Sequence, residues 1–447
     1  MLTVSFLLLV CLWLAASRHG TLKLGAEDDE PEFSTASWLA MLFAAGMGVG
    51  LLYWGTAEPL THYLAIVETG AVREAANDAL FVTSFHWGLH AWAIYALTGL
   101  VIAFFTFRRG APSLVSAPLT GVFGDLPWMR GVGWLADLLA IVAIALGIGG
   151  SVAMGVFQIK DGVDALLGLE GTGMGLALGI FAVLCACYLP PLMVDLSRGM
   201  ATLSNMAMIV TGLLLAYVLL SGPTAFIMGG VVQGLGEYAS GFLTHGFRTF
   251  TFMDERVGDW FADWTLTYMV WWLAWAPFVG VFIARISKGR TIREFVLGVL
   301  FVPTLFSVVW FGVFGGIGFS AAAEEGGAIL QLTRERPSAV TFHVLEALPA
   351  PALTIAAVVA AAFLFIVTSV VSASFVLAMF STGGDLNPSV RVKLAWGAIC
   401  GALGLVMILS GSIAAVKSII ALGALPFVFI VLLMVVAFLK ALKEEGA

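Results

Sequence analysis

Long apolar runs dominate the chain from end to end, separated by short polar, glycine- or proline-bearing punctuation. A helix needs about 20 apolar residues to cross a bilayer, and eleven such runs are found, near 3–17, 35–57, 77–107, 133–159, 173–193, 202–221, 264–285, 293–319, 350–380, 391–415 and 418–440. Backbone groups in lipid must be satisfied internally, so each run is expected to be a helix. The run 3–17 has the length of a signal-peptide core, but no basic stretch precedes it and no small-residue cleavage site follows. With Arg18 and Lys23 behind it, it is expected to be a retained helix. Between Gly222 and Asp263 the chain is too glycine-rich and polar to span, and Phe226 to Phe250 has amphipathic spacing. That spacing predicts a helix lying along the outer membrane surface.

The polar punctuation sets an orientation. If successive helices reverse direction, one side collects 14 of the 21 lysines and arginines, among them Arg108, Arg109, Arg285, Lys288, Arg290 and Arg293. The other side collects 7, among them Arg73, Lys160, Arg248 and Lys417. The richer side is expected to be cytoplasmic, which places the C-terminus inside and Met1 outside and points to a further helix upstream. Composition agrees with lipid as the solvent: 60% of the 447 residues are hydrophobic and 11% charged, where a soluble protein carries roughly 25% charged residues. A cytosolic enzyme, a nucleic-acid binder and a disordered scaffold are thereby excluded. Cys11, Cys185, Cys187 and Cys400 all fall inside apolar runs, which fits small buried hydrophobes rather than disulfides or a zinc site.

Few ionisable residues fall inside the runs. Asp137, Lys160 and Asp195 lie near helix ends and Glu58 closes the second helix, so a neutral site is expected where proton relays would need carboxylates within the bundle. Candidate chemistry lies elsewhere. Gly46-Met47-Gly48-Val49-Gly50 sets three glycines at alternate positions of the second run, each costing roughly 1 kcal/mol against alanine in a helix. Such a segment either breaks the helix, freeing carbonyls and amides for a cation or an anionic group, or serves close packing. In the third run Trp87, Trp92 and Tyr95 fall on one broad helical face, and in the seventh Trp271, Trp272, Trp275 and Phe278 form a stripe. Aromatic faces attract a quaternary ammonium, each ring contributing roughly 0.5–2 kcal/mol; the alternative is core packing. His86 and His90 have the i, i+4 spacing of a metal pair but no third ligand at suitable spacing, so packed neutral histidines are expected. In the ninth run Phe365, Thr368, Ser369 and Ser372 share one sector, where hydroxyls either complete a sodium shell or bond back to the preceding turn.

At these residues the sequence resembles the betaine/choline/carnitine transporter family. Matching stretches run through Glu30 to Thr35, Gly46 to Tyr63, His86 to Gly99, Asp263 to Gly316 and Phe365 to Gly384. The densest block is Trp264-Thr265-Leu266-Thr267-Tyr268-Met269-Val270-Trp271-Trp272, continuing through Trp275-Ala276-Pro277-Phe278 to Arg285-Ile286-Ser287-Lys288-Gly289-Arg290. The resemblance implies an all-α polytopic membrane protein with the leucine-transporter-type fold of two inverted five-helix repeats, here in about 11 helices. Residues 1–30 would hold a peripheral helix, where the family has two. Residues 31–222 and 263–447 would be the repeats, and 223–262 the surface segment between them.

The same resemblance implies an aromatic box at Trp87, Trp92, Tyr95 and Trp272, with Trp271, Trp275 and Phe278 lining the path inward and the Gly46, Met47, Gly48 and Gly50 segment meeting the substrate. It implies a sodium site from backbone oxygens of Ala44, Met47 and Phe365 and the hydroxyls of Thr368 and Ser369. Choline-type members often carry Asp where this chain has Gly50, and glycine suits a zwitterion such as glycine betaine. Met269, Ala91, Val371 and Ile148 depart from the family pattern, the last arguing against a second sodium site.

The expectation is therefore a sodium symporter of a betaine-like osmolyte in the cell inner membrane, without an organic cofactor or nucleic-acid partner and, by resemblance, homotrimeric. Rivals are a proton-coupled or sodium-independent carrier of choline, carnitine, ectoine or dimethylsulfoniopropionate, a membrane metalloenzyme using His86 and His90, and a channel. The channel reading lacks a filter-like repeat or charged ring.

Overall fold

The computed structural model describes residues 1–70, 74–124, 126–169, 172–194, 196–410 and 413–445, without the side chains of 196–199 and 413–425. Arg73 and Asp195 lie outside the described residues, as do the side chains of Arg198 and Lys417. In chain order the α-helices are α1 (Leu2–Ala16), α2 (Thr35–Gly46), α3 (Gly48–Val67), α4 (Ala75–His86), α5 (Leu89–Ala103), α6 (Ser116–Phe123), α7 (Met129–Leu167), α8 (Gly173–Tyr188) and α9 (Leu196–Ser221). They continue as α10 (Thr224–His245), α11 (Glu255–Phe261), α12 (Thr267–Arg285), α13 (Ile292–Glu325), α14 (Gly327–Glu335), α15 (Pro337–Glu346), α16 (Pro351–Ser381), α17 (Val390–Ser410) and α18 (Ile413–Glu444). A π-helical turn, Ala262–Leu266, joins α11 to α12 as one span.

Among the described residues nine helices are long and apolar enough to cross a membrane, and the pair α2 and α3, bent by 65°, makes a tenth. The eleventh expected span is α1. Its 15 residues rise only about 22 Å at 1.5 Å each, short of the roughly 30 Å hydrocarbon core. One face of α1 carries Leu7, Leu8, Cys11 and Leu14 into the protein, while Leu2, Phe6, Leu9 and Trp13 remain exposed.

The basic-rich end is tied together by the chain itself. Leu24 N–H donates to the Arg290 carbonyl at 2.8 Å, Gly289 N–H returns to the Leu24 carbonyl at 2.8 Å, and Arg293 Nε caps the end of α1 at the Ala15 carbonyl, 2.8 Å away. Arg108 binds Glu27 at 3.1 Å and Glu445 at 2.8 Å, so the segment after α1, the end of the third span and the C-terminal helix meet at one end of the bundle. There the Ala26 amide and the Lys288 ammonium hold the Asp29 carboxyl below the usual carboxylate range. These contacts bring together Arg108, Lys288, Arg290 and Arg293, four of the basic residues that the alternating count assigned to one side.

α10 fulfils the amphipathic reading as a helix. Ile227, Val231, Gly234 and Tyr238 turn inward against α13 and α4, and Phe226 and Val232 outward. The third run is not continuous: α4 ends at His86 and α5 begins at Leu89, with Trp87 and Gly88 between them. The Leu89 N–H, which a continuous helix would satisfy, donates instead to Tyr238 Oη of α10 at 2.7 Å. A Cβ on Gly88 would come within 2.1 Å of that hydroxyl, so only glycine admits it.

Candidate functional site: an aromatic cavity at a broken helix

The three alternate glycines serve both of the uses left open by the sequence. The chain breaks at Met47, whose φ of −139° and ψ of −11° end α2 before α3 starts in a new direction. Each glycine also admits a ring: a Cβ on Gly46 would lie 2.8 Å from Trp92, on Gly48 3.0 Å from Phe365, and on Gly50 2.9 Å from Trp87. The break is thus packed tightly between aromatic side chains of the α4–α5 interruption, α5 and α16.

A cavity of about 40 Å³ opens at the break. Gly46, Met47, Gly48 and Gly50 form one wall and Trp87, Trp271, Trp272 and Trp275 face it. Ser369 of α16 closes a further side. The volume accommodates a few waters and falls well below the roughly 300–1,000 Å³ of a ligand pocket, so admitting a trimethylammonium group requires the walls to part. Trp87 and Trp272 meet edge to face at 5.1 Å, and Trp272 is pinned by its Nε1, which donates to the His86 carbonyl at 2.8 Å.

Three expected residues stand behind this lining. Trp92 and Tyr95 pack against each other at 5.6 Å, Tyr95 reaches Trp272 at 6.1 Å, and Phe278 lies against Trp275 at 5.7 Å. For Trp92 and Tyr95 the shared face assumed one continuous helix, whereas Trp87 lies in the interruption between α4 and α5 and the other two sit on α5. Trp92 Nε1, Tyr95 Oη and Trp275 Nε1 are buried without a hydrogen-bond partner among the described residues.

On the proposed sodium ligands the structure is specific about neighbours. Met47 and Ser369 line the same cavity, Phe365 abuts Gly48, and Ala44 is buried in the last turn of α2. The Thr368 hydroxyl donates to the Phe365 carbonyl at 2.9 Å, and Ser372 bonds back to the Thr368 carbonyl at 2.7 Å. Ile148 is buried in α7.

The lining includes residues that the sequence reading passed over: Trp54 of α3, Ser151 and Met154 of α7, and Tyr268 of α12. The largest omission is Glu58. It does not close a helix. α3 runs on to Val67, and the Glu58 carboxylate lies fully buried inside the bundle, so the expectation of a site remote from any carboxylate is overturned. Four donors surround it. His86 Nδ1 approaches Oε1 at 2.7 Å and His62 Nε2 at 3.4 Å, while Trp87 Nε1 and the Tyr268 hydroxyl donate to Oε2 at 2.7 and 2.6 Å.

Glu58, His62 and His86 place their ligand atoms within 4.8 Å of one another, a donor set that suits a zinc-like ion. Hydrogen bonds account for every one of these atoms. Trp260 Nε1 can only donate, and it points at His62 Nδ1 from 3.3 Å, leaving the His62 proton on Nε2 toward Glu58. His86 Nε2 meets Thr265 Oγ1 at 2.9 Å. His90, the other half of the expected histidine pair, faces away, with neither ring nitrogen partnered among the described residues.

The comparisons with known proteins agree with this architecture. The family model described as BCCT, betaine/carnitine/choline family transporter, matches residues 1–447. The glycine betaine transporter OpuD of Bacillus subtilis (strain 168) is 39% identical over 100% of this chain and 86% of its own length. The osmo-independent choline transporter BetT1 of Acinetobacter baylyi is 36% identical over 97% of this chain and 83% of its own length. The ectoine/hydroxyectoine transporter of Virgibacillus pantothenticus is 33% identical over 99% and 88%. Among solved structures, a Na+-coupled sialic acid symporter in a substrate-bound outward-open state covers 96% of this chain and 84% of its own with a TM-score of 0.57 at 15% identity, a likeness of fold. Matched over its whole length, the chain belongs to the betaine/carnitine/choline transporter family: it is a multi-pass membrane transporter of leucine-transporter-type fold, not an enzyme.

Proposed function

We propose that the chain imports glycine betaine, or a closely related methylated zwitterion, by sodium symport and alternating access. The observation that carries this reading is the composition of the cavity. Aromatic faces from the α4–α5 interruption and α12 stand opposite a broken helix whose amides and carbonyls are free of a continuous ladder, with the Ser369 hydroxyl beside them. A trimethylammonium group is held by the rings, and the carboxylate of the zwitterion meets the amides that open α3. Sodium is held by the oxygens of Ala44, Met47, Phe365, Thr368 and Ser369, tying the break to α16 and stabilising the open form of the site. The two sets of spans before and after α10 act as the rocking repeats, 31–222 and 263–447. The carrier resides in the inner membrane, as a homotrimer, with its C-terminus in the cytoplasm on the basic-rich side. The likeness to OpuD supports the substrate, and the small residue at Gly50 supports a zwitterion over a net cation.

Glu58 favours a second reading, proton coupling, because a buried carboxylate against two histidines is what a proton relay in a membrane uses. Thermal unfolding of the purified carrier with candidate osmolytes separates the two, since a ligand that binds only the folded state raises apparent stability by mass action. Sodium symport predicts that betaine raises the unfolding temperature far more with sodium than with potassium at constant pH. An equal rise in both salts contradicts it.

A further inference from the structure

The aromatic walls of the cavity are not electrically neutral at their backs. Trp87 and Tyr268 both line it, and both direct their polar hydrogens away from it onto the same oxygen, Oε2 of Glu58, at 2.7 and 2.6 Å. Among the described residues no lysine or arginine bridges that carboxylate; its partners are the two histidines, the indole and the phenol. Burying an ion is costly unless hydrogen bonds and an opposite charge compensate it. Four hydrogen bonds are present, and a full positive charge is the missing element. Neither histidine supplies it: His62 Nδ1 accepts from Trp260, and His86 Nε2 is the acceptor left to the Thr265 hydroxyl among the described residues, so both rings are neutral.

Resting on the proposed function, we infer that Glu58 is a specificity-determining residue: its carboxylate, relayed through Trp87 and Tyr268, supplies the negative field that makes this cavity select a quaternary ammonium over an uncharged group of the same shape. An indole or phenol that donates a hydrogen bond to a carboxylate is polarised toward it, which raises the electron density of the ring face and strengthens its attraction for a cation. The carboxylate also acts directly, since charges separated by low-dielectric protein interact far more strongly than across water. Glu58 thus works through its neighbours and without touching the substrate. The bound trimethylammonium becomes the counter-charge that the buried carboxylate lacks.

Glu58→Gln tests this with little change of shape. The glutamine oxygen accepts from Trp87 and Tyr268, and its amide donates to His86 Nδ1 once the ring proton moves to Nε2, where Thr265 Oγ1 accepts it. Binding of glycine betaine and of 3,3-dimethylbutanoate, which replaces the trimethylammonium by a tert-butyl group, is measured by calorimetry on purified wild type and variant. The expected result is a loss of about 10-fold or more in betaine affinity with dimethylbutanoate affinity unchanged, so the preference of the site for the cation collapses. Tyr268→Phe, which keeps the charge but severs one relay, is expected to lose betaine affinity in the same direction by a smaller factor. If Glu58→Gln weakens both ligands equally, or neither, Glu58 is structural and the inference fails. If Glu58→Gln does not fold, Tyr268→Phe decides by the same criterion. If wild type itself binds no quaternary ammonium, it is the proposed function that fails, and the inference with it.

Discussion

Gly48→Ala measures how tightly the broken helix is held to α16. An added Cβ would lie 3.0 Å from Phe365 Cδ1 and 3.1 Å from both its Cβ and Cγ. Carbon atoms in good contact are about 3.5–4.0 Å apart, so α3 and α16 must separate by roughly half an ångström. The ring cannot swing aside to relieve this, because Phe365 is fully buried and its Cβ moves only with its helix. Overpacking of this kind costs about 1–3 kcal/mol, and the helical preference of alanine over glycine offsets at most about 1 kcal/mol. The net penalty, roughly 0–3 kcal/mol and centred on about 1–2 kcal/mol, is a small change in unfolding temperature. The surfaces forced apart are those between which sodium is proposed to bind, so 1–2 kcal/mol lost there corresponds to about 5–30-fold weaker sodium dependence. Initial betaine uptake into proteoliposomes, measured against sodium concentration, reads that shift, with thermal unfolding of the same preparation as the control for folding. A wild-type sodium response in a normally folded Gly48→Ala protein would refute the reasoning.

Other substitutions separate the parts of the site. Trp272→Ala removes a ring worth roughly 0.5–2 kcal/mol to a cation and should raise the KM for betaine uptake by up to about 30-fold while leaving the sodium response near normal. Ser369→Ala should do the reverse, weakening the sodium dependence of uptake more than betaine affinity measured at saturating sodium. Tyr238→Phe leaves the Leu89 amide in the α4–α5 break without its acceptor, an unsatisfied buried donor costing about 1–3 kcal/mol. Differential scanning of that variant should show a lower unfolding temperature, and an unchanged temperature would mean that α10 does not stabilise the break.

The spans, the glycine break and the tryptophan stripe of α12 were legible because each is a local pattern: apolar length, alternate glycines, helical spacing. Glu58 was not, because what makes a buried carboxylate tolerable lies far away in sequence, on His86, Trp87 and Tyr268. An apolar count sees Glu58 followed by Pro59 as the end of a run. The one local signal was His62, four residues on and so on the same face of a helix that continues. The interruption at Trp87–Gly88 was hidden for a similar reason. The hydroxyl that replaces the helical acceptor comes from Tyr238, 149 residues away, and without it the run reads as one straight helix that would carry Trp87, Trp92 and Tyr95 together.

Sodium symport of a betaine-like zwitterion is tested most directly by uptake of labelled glycine betaine into proteoliposomes holding only this protein, with an inward sodium gradient, an inward proton gradient, or neither. The account predicts accumulation above equilibrium with the sodium gradient at equal pH on both sides, and only equilibration in the other two conditions. Accumulation driven by the proton gradient without sodium, or uptake indifferent to both, would contradict it.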